Sequence, residues 1–258
     1  MRKIISGLCL AALYCAGSTA HAEEVLRFGV DPTFPPFEFK SADGALQGFD
    51  IDVGNAICQQ AKVKCEWTEL GFDGLIPALK ARKFDAILSS MSRTEKREKE
   101  IAFSDMIYHT PNALVVAKGS NITDNLASLK GKTIGVAQGT TQEAWAKAKW
   151  APAGVQVVSY PNQGQIYPDL LAGRLDGTLT DAVTADTGFL NTPQGKGFIV
   201  SAQPDDKTFF GTGSGVGLRK GDTQRMTLIN NAIAAIHSNG EYQRIEKKYF
   251  TFSVYPKM

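Results

Sequence analysis

The chain has 258 residues, with 28 basic and 26 acidic side chains and a formal charge of +2. That surplus equals the two bases of residues 1–22, Arg2 and Lys3, a stretch that holds no acid. The rest of the chain is therefore neutral and offers no basic patch for nucleic acid or an anionic lipid surface.

Residues 1–22 have the order of a secretory signal: Arg2 and Lys3, an apolar run over 4–16, then Ala20-His21-Ala22. The run is too short for a membrane anchor. Tyr14 before Cys15 and Leu8 before Cys9 do not supply the small residue of a lipoprotein signal. Cleavage after Ala22 and an exported, periplasmic protein are expected, with no further membrane-spanning segment. Cys9 and Cys15 leave with the signal, and the two that remain, Cys58 and Cys65, read as one disulfide in an exported chain. No metal site is expected, because none of His21, His109 and His237 lies near that pair.

After the signal, 25–30 reads as a strand, followed by the rigid loop Asp31-Pro32-Thr33-Phe34-Pro35-Pro36-Phe37, where the prolines stop the strand. A helix runs to about Ala61 with Asp50 as its cap and Ile51, Ile57 and Ala61 facing inward. Strand 65–70 follows, then a helix to about Arg82 capped by Asp73, then the apolar strand 84–88. That strand spills into Ser89-Ser90-Met91-Ser92-Arg93-Thr94-Glu95-Lys96-Arg97, where Thr94 caps a helix expected to reach about Phe103.

Residues 108–112 form an extended crossing segment, and 113–117 and 133–137 are strands. Thr140 and Glu143 have the spacing of a capping box at the next helix start. Strand 155–159, helix 163–173 and strand 177–180 lead to Asp181, and a helix follows to Leu190. Residues 191–213 read as a loop rich in Gly, Pro and Asp, 215–219 as a short strand, and 222–238 and 240–249 as helices with Ile229, Ile233 and Ile236 in the core.

An internal echo decides the architecture. Lys83-Phe84-Asp85-Ala86-Ile87-Leu88 lines up with Arg174-Leu175-Asp176-Gly177-Thr178-Leu179, Phe28-Gly29-Val30 with Ile134-Gly135-Val136, and Val116-Ala117-Lys118-Gly119 with Leu218-Arg219-Lys220-Gly221. Three short echoes in a workable order argue for two similar βα lobes, an α/β fold with a cleft between them. Polar strand ends then form two half-sites: Asp31, Phe34, Phe72, Ser89, Ser90, Ser92 and Arg97 on one, and Thr140, Thr141, Gln142 and Asp181 on the other. Ligands of open α/β sheets bind at such strand ends, helix starts favour anions, and the Arg97 fork matches a carboxylate.

The run 31–37, Gly48-Phe49-Asp50-Ile51-Asp52, the stretch 89–97 with Ile101-Ala102-Phe103-Ser104, and 139–143 together resemble the periplasmic amino-acid binding proteins of ABC importers. Within them the chain is similar to the lysine/arginine/ornithine and histidine binding subgroup, over nearly the whole of 23–258, including the spacing of Cys58 and Cys65. The resemblance implies a two-lobe hinge protein, with lobe 1 from 23–109 plus 213–258, lobe 2 from 110–212, and hinge crossings at its ends. It implies that Arg97 holds the α-carboxylate of an amino acid with Ser92 and the Thr141 amide, that Asp181 and Ser90 take the α-ammonium, and that Asp31 meets a distal cation. Phe34 and Phe72 would sandwich the ligand side chain, with Ser89, Thr140 and Gln142 as lesser polar contacts. The chain departs from the subgroup in Phe34 for Tyr, Ala137 for Leu and Thr140 for Ser, which bears on the ranking among arginine, lysine, ornithine and histidine, and on bulkier opines.

The resemblance also implies a small-molecule ligand and permease partners; no cofactor is expected, and a monomer is the default expectation. Two other classes compete. A cyclohexadienyl or arogenate dehydratase on this fold would need a general acid, and the cleft is expected to hold no histidine and to be too acidic for a dianion. A sensor would report the amino acid to a membrane receptor; a free, exported form is expected and favours delivery to a transporter, and is compatible with docking to a chemoreceptor as well.

Overall fold

The structure is a computed structural model that describes residues 24–255. The signal segment, with its cysteines and its cleavage point, lies outside them. The first lobe opens with β1 (Val25–Val30), a small antiparallel flap of β2 (Thr33–Phe34), β3 (Glu38–Lys40) and β4 (Leu46–Gln47), then α1 (Phe49–Ala61) and β5 (Lys64–Glu69). It continues through a 3-10 turn at Phe72–Gly74, α2 (Leu75–Lys80), β6 (Ala86–Ile87), α3 (Glu95–Glu98) and β7 (Ala102–Tyr108).

The chain then crosses into a second sheet. Its elements are β8 (Asn112–Ala117), α4 (Leu126–Leu129), β9 (Thr133–Ala137), α5 (Thr141–Lys149), β10 (Gln156–Tyr160), α6 (Gln163–Leu171), β11 (Gly177–Asp181), α7 (Ala182–Ala185), β12 (Phe198–Ala202) and α8 (Lys207–Phe210). It crosses back into β13 (Ser214–Leu218), which is followed by α9 (Thr223–Ser238) and α10 (Glu241–Tyr249).

The strand orders are β5-β1-β6-β13-β7 and β10-β9-β11-β8-β12, one architecture built twice. The echoed residues fall in matching register. Phe28 pairs with Ala86 and Ile134 with Gly177; Leu218 pairs with Ala86 and Val116 with Gly177. Asp85 accepts the amide of Arg27 at 3.2 Å while Asp176 accepts that of Thr133 at 2.9 Å, so each lobe ties its central strand with the same acid. Gly29 and Gly135 lie against Phe84 and Leu175, where any side chain would strike the ring or the leucyl methyl.

The first core packs Phe28, Val53, Ile57, Ile229, Ile233 and Ile236 between the sheet, α1 and α9, and the second packs Val116, Ile134, Val136, Leu179 and Trp150. Cys58 near the end of α1 is bonded to Cys65 of β5, with Cα atoms 5.8 Å apart.

Four expectations are corrected. The helix after Thr94 ends at Glu98, and Ala102–Tyr108 is a strand, because Phe103, Ser104, Ile107 and Tyr108 turn inward where the strand pairs with β13. The loop 191–213 contains β12, whose Phe198-Ile199-Val200 pairs with β8, and the short α8. Asp50 does not cap α1; Gly48 precedes the helix and Asp50 is buried in its first turn. Asp73 caps nothing, for it lies inside the 3-10 turn that precedes α2.

Candidate functional site

The two sheets face each other across one cleft, and all eleven residues singled out from the sequence line it. Asp31 ends β1. Its amide donates to Ser89 Oγ at 2.9 Å, while its carboxylate accepts the Thr33 hydroxyl at 2.8 Å and the Phe72 amide at 3.0 Å. Burial pushes the carboxyl above its ordinary range, and those two donors oppose the shift. Each oxygen keeps acceptor capacity toward the cleft.

Arg97 follows from the cap on α3, where Thr94 Oγ1 accepts the Arg97 amide at 3.2 Å. Its guanidinium donates to the Ser92 carbonyl at 2.8 Å and, across the cleft, to the Gly139 carbonyl at 3.1 Å, and lies 5.3 Å from the Phe72 ring centroid. Only 9% of the residue is exposed. Desolvation lowers its pKa to about 10, and no described carboxylate pairs with it. A buried, charged fork with donors to spare can receive an anion. Phe34 stands apart from Phe72 and stacks on Phe37 at 6.2 Å.

The second half-site is built on helix starts. Thr140 caps α5, accepting the Glu143 amide at 3.1 Å and donating to the Ala137 carbonyl at 2.7 Å. Glu143 reaches back to the Gly139 amide at 2.8 Å, one residue beyond the usual capping-box partner. Thr141 donates to Gln142, which donates to Asn112 at 2.8 Å. Asp181 ends β11 and caps α7 through Oδ1, which accepts the Val183 and Thr184 amides at 2.9 Å, while Oδ2 accepts the Thr110 hydroxyl. Capping and cleft lining coexist in this one residue. Burial pushes its carboxyl up.

The cleft also holds residues the sequence did not single out. His109, Thr110 and Asn112 come from the crossing segment, Glu38 from the flap, Tyr108 from β7, and Phe210 from α8. His109 corrects the expectation of a cleft without histidine. The adjoining Ser90 takes a left-handed conformation at φ 48°. Its amide donates to Asp50 at 2.7 Å and its hydroxyl to Glu38 at 3.0 Å. No group of His, Cys, Asp and Glu suited to a metal ion occurs among the described residues.

Comparisons with known proteins match this architecture. The family model for bacterial extracellular solute-binding proteins, family 3, matches residues 26–252. The chain is 48% identical to a lysine/arginine/ornithine-binding periplasmic protein of Escherichia coli K12, over 99% of both chains. It is 46% identical to a histidine-binding periplasmic protein of Salmonella typhimurium, again over 99% of both. Among solved structures, an ancestral arginine-binding protein bound to arginine superimposes with a TM-score of 0.82 at 36% identity, covering 89% of this chain and 100% of that one.

Proposed function

The chain belongs to the bacterial extracellular solute-binding proteins, family 3, and from that membership we propose that it captures a cationic L-amino acid between its lobes and delivers it to the permease of an ABC importer. The observation that carries the reading is the buried Arg97 guanidinium, without an acidic partner among the described residues, in a cleft also lined by two acids, Asp31 and Asp181, that have no cationic partner among them. That is the charge pattern of an α-carboxylate, an α-ammonium and a second cation, read in reverse. Arg97, Ser92 and the Thr141 amide take the carboxylate. Asp181 and Ser90 take the α-ammonium, Asp31 takes the side-chain cation, and Phe34 and Phe72 flank its methylenes, with Ser89, Thr140 and Gln142 completing the polar wall.

The two crossings, at the ends of lobe 2, serve as the hinge of a monomer whose lobes comprise 23–109 plus 213–258 and 110–212. The relatives are named as periplasmic proteins, and no described helix is long and apolar enough to cross a membrane. With the signal read in 1–22, they support export and cleavage after Ala22. Lobe closure is driven by contacts that exist only when ligand bridges both halves, since a ligand shifts the balance by its differential affinity alone. Each charge-assisted hydrogen bond contributes about 1.5–3 kcal/mol, so a handful, less the cost of ordering, reaches the roughly 8 kcal/mol of a micromolar complex.

His109 in the cleft is the one observation that favours a dehydratase. Asp31 and Asp181 weigh against it, because they would repel a dianionic substrate. The reading is tested by denaturing protein isolated from the periplasm and identifying the small molecules released. Lysine, arginine, ornithine or histidine at near one equivalent supports it. Turnover of prephenate or arogenate by the purified protein overturns it.

A further inference from the structure

Behind the Ser89 and Ser90 wall of the cleft two acids face each other with no base to answer them. Glu38 of β3 is 1% exposed and Asp50 of α1 is fully buried. The charged and titratable groups around them are Asp31 at the end of β1, Tyr108 on β7 and Tyr242 on α10, and no cation acts on either carboxyl. Two carboxylates cannot both stay ionised in such a place, since desolvation and mutual repulsion favour a bound proton.

The oxygen inventory says where that proton sits. Glu38 accepts the Ser89 hydroxyl on Oε1 at 3.1 Å and the Ser90 hydroxyl on Oε2 at 3.0 Å. Asp50 Oδ2 accepts the Ser90 amide at 2.7 Å and the Tyr108 hydroxyl at 3.2 Å. Asp50 Oδ1 is buried without a partner among the described residues, and the two carboxyl groups converge on the same residue, Ser90. A proton held between the two carboxyl groups relieves their repulsion and leaves a donor for the unpartnered oxygen. Burial and the Asp50 charge push Glu38 well above the carboxylate range, and burial pushes Asp50 up to about 7.

The pair is wired to the binding surface. Ser90 has a backbone that a non-glycine residue keeps only when its surroundings hold it. Here Asp50 holds its amide, Glu38 its hydroxyl, and the Tyr108 hydroxyl lies 2.8 Å from Ser90 Oγ. Ser89 passes the same support to the Asp31 amide. The geometry points to Glu38 and Asp50 as a proton-sharing carboxyl pair that acts as a positioning device, setting Ser90 and Asp31 for the ligand. Its effect on affinity rests on the amino-acid reading of the cleft; the shared proton does not. Losing that proton releases the Ser90 turn, so affinity falls as pH rises.

The test has two arms on the full mature protein. Infrared spectra without ligand at about pH 6 should show protonated-carboxyl absorption, a distinct part of which is lost in Glu38→Gln. Calorimetry with L-arginine should show Glu38→Ala weakened about tenfold, an unpaired buried acceptor being left behind, with Glu38→Gln recovering most of the loss. Between about pH 6 and pH 8 wild type should lose affinity more steeply than Glu38→Gln, because the variant has only the Asp50 proton to lose whereas wild type titrates as the pair. The amine of arginine titrates alike against both proteins, so the difference belongs to the pair. Absence of a Glu38-dependent band, or parallel pH profiles, overturns the proposal. Should Glu38→Ala fail to fold, the comparison of Glu38→Gln with wild type decides. If wild type binds no arginine the reading of the cleft falls, and the infrared arm alone decides the pair.

Discussion

Arg97 Nη2 donates to the carbonyl oxygen of Gly139 at 3.1 Å, so one buried cation both faces the cleft and joins its two walls. Its other terminal nitrogen holds the Ser92 carbonyl at 2.8 Å, which fixes the fork on the first lobe. If Arg97 holds the α-carboxylate as proposed, truncation removes that anchor whatever the side chain beyond it. Arg97→Ala is expected to weaken arginine and glutamine alike, by about a hundredfold, the usual cost of deleting one partner of a buried charged contact. Arg97→Lys should recover only part, because an ammonium cannot present the planar fork. Calorimetry on both ligands checks this, and a loss confined to cationic ligands would remove Arg97 from the carboxylate.

In the proposed reading Asp31 meets the other end of the ligand. Its carboxylate is already held by the Thr33 hydroxyl and the Phe72 amide, so Asp31→Asn keeps the shape and removes the charge. Affinity for arginine, lysine and ornithine should fall about tenfold to a hundredfold, the worth of a charge-assisted hydrogen bond, while glutamine changes little. Competition binding with paired ligands reads this directly; equal losses would refute the role.

Gly139 and Gly131 offer a matched pair. Both have left-handed backbones, at φ 74° and 76°, but a Cβ on Gly139 would lie 2.8 Å from the Asp73 Cα, whereas one on Gly131 would meet nothing within 4 Å. Alanine at either position carries similar backbone strain, about 1–2 kcal/mol. Only Gly139→Ala should also hold the lobes apart. Small-angle scattering with saturating arginine should therefore show a compact Gly131→Ala and an expanded Gly139→Ala, with affinity reduced in the second alone.

The buried acids give stability a definite sign with pH. Glu38 and Asp50 have folded-state pKa values above their unfolded ones, Asp50 at about 7. Their protonated forms favour the folded state, and that contribution is complete below about pH 4, the unfolded carboxylate range. It is lost as pH rises through about 7, and further up for Glu38. Asp85 runs the other way: burial raises it, but the Arg27 side chain and amide, with Arg225, outweigh burial and lower it, so its contribution is lost in acid. Ligand-free denaturation midpoints should decline from about pH 5 to pH 8, and Glu38→Gln should flatten the slope.

Local chemistry was legible wherever one short motif suffices. The strand ending before Ser89, the Thr94 and Thr140 caps, and the acids ending two strands could all be read, because a cap or a strand end is written in neighbouring residues. The duplicated lobes were legible too, since Asp85 and Asp176 recur with the same neighbours and tie equivalent strands.

What escaped reading depends on partners distant in sequence. The charged run 93–100 suggested a longer helix, and only pairing with β13 shows that 102–108 is a strand. Asp50 looked like a cap because it opens a helix, yet its partners are Ser90 and Tyr108, 40 and 58 residues away. Glu38 between Phe37 and Phe39 was the one available signal of a buried acid, a charge set in an aromatic run. His109 lies in a crossing segment, and such a segment lines the cleft it spans, which neighbouring residues alone do not show.

The most direct measurement is isothermal titration of the mature protein, unfolded and refolded to remove carried-over ligand, against arginine, lysine, ornithine, histidine, glutamine and prephenate. Tight binding of cationic amino acids at one site per chain, with glutamine far weaker and prephenate silent, is the predicted result. Silence from all the cationic amino acids, or preference for prephenate, would contradict the account at its centre.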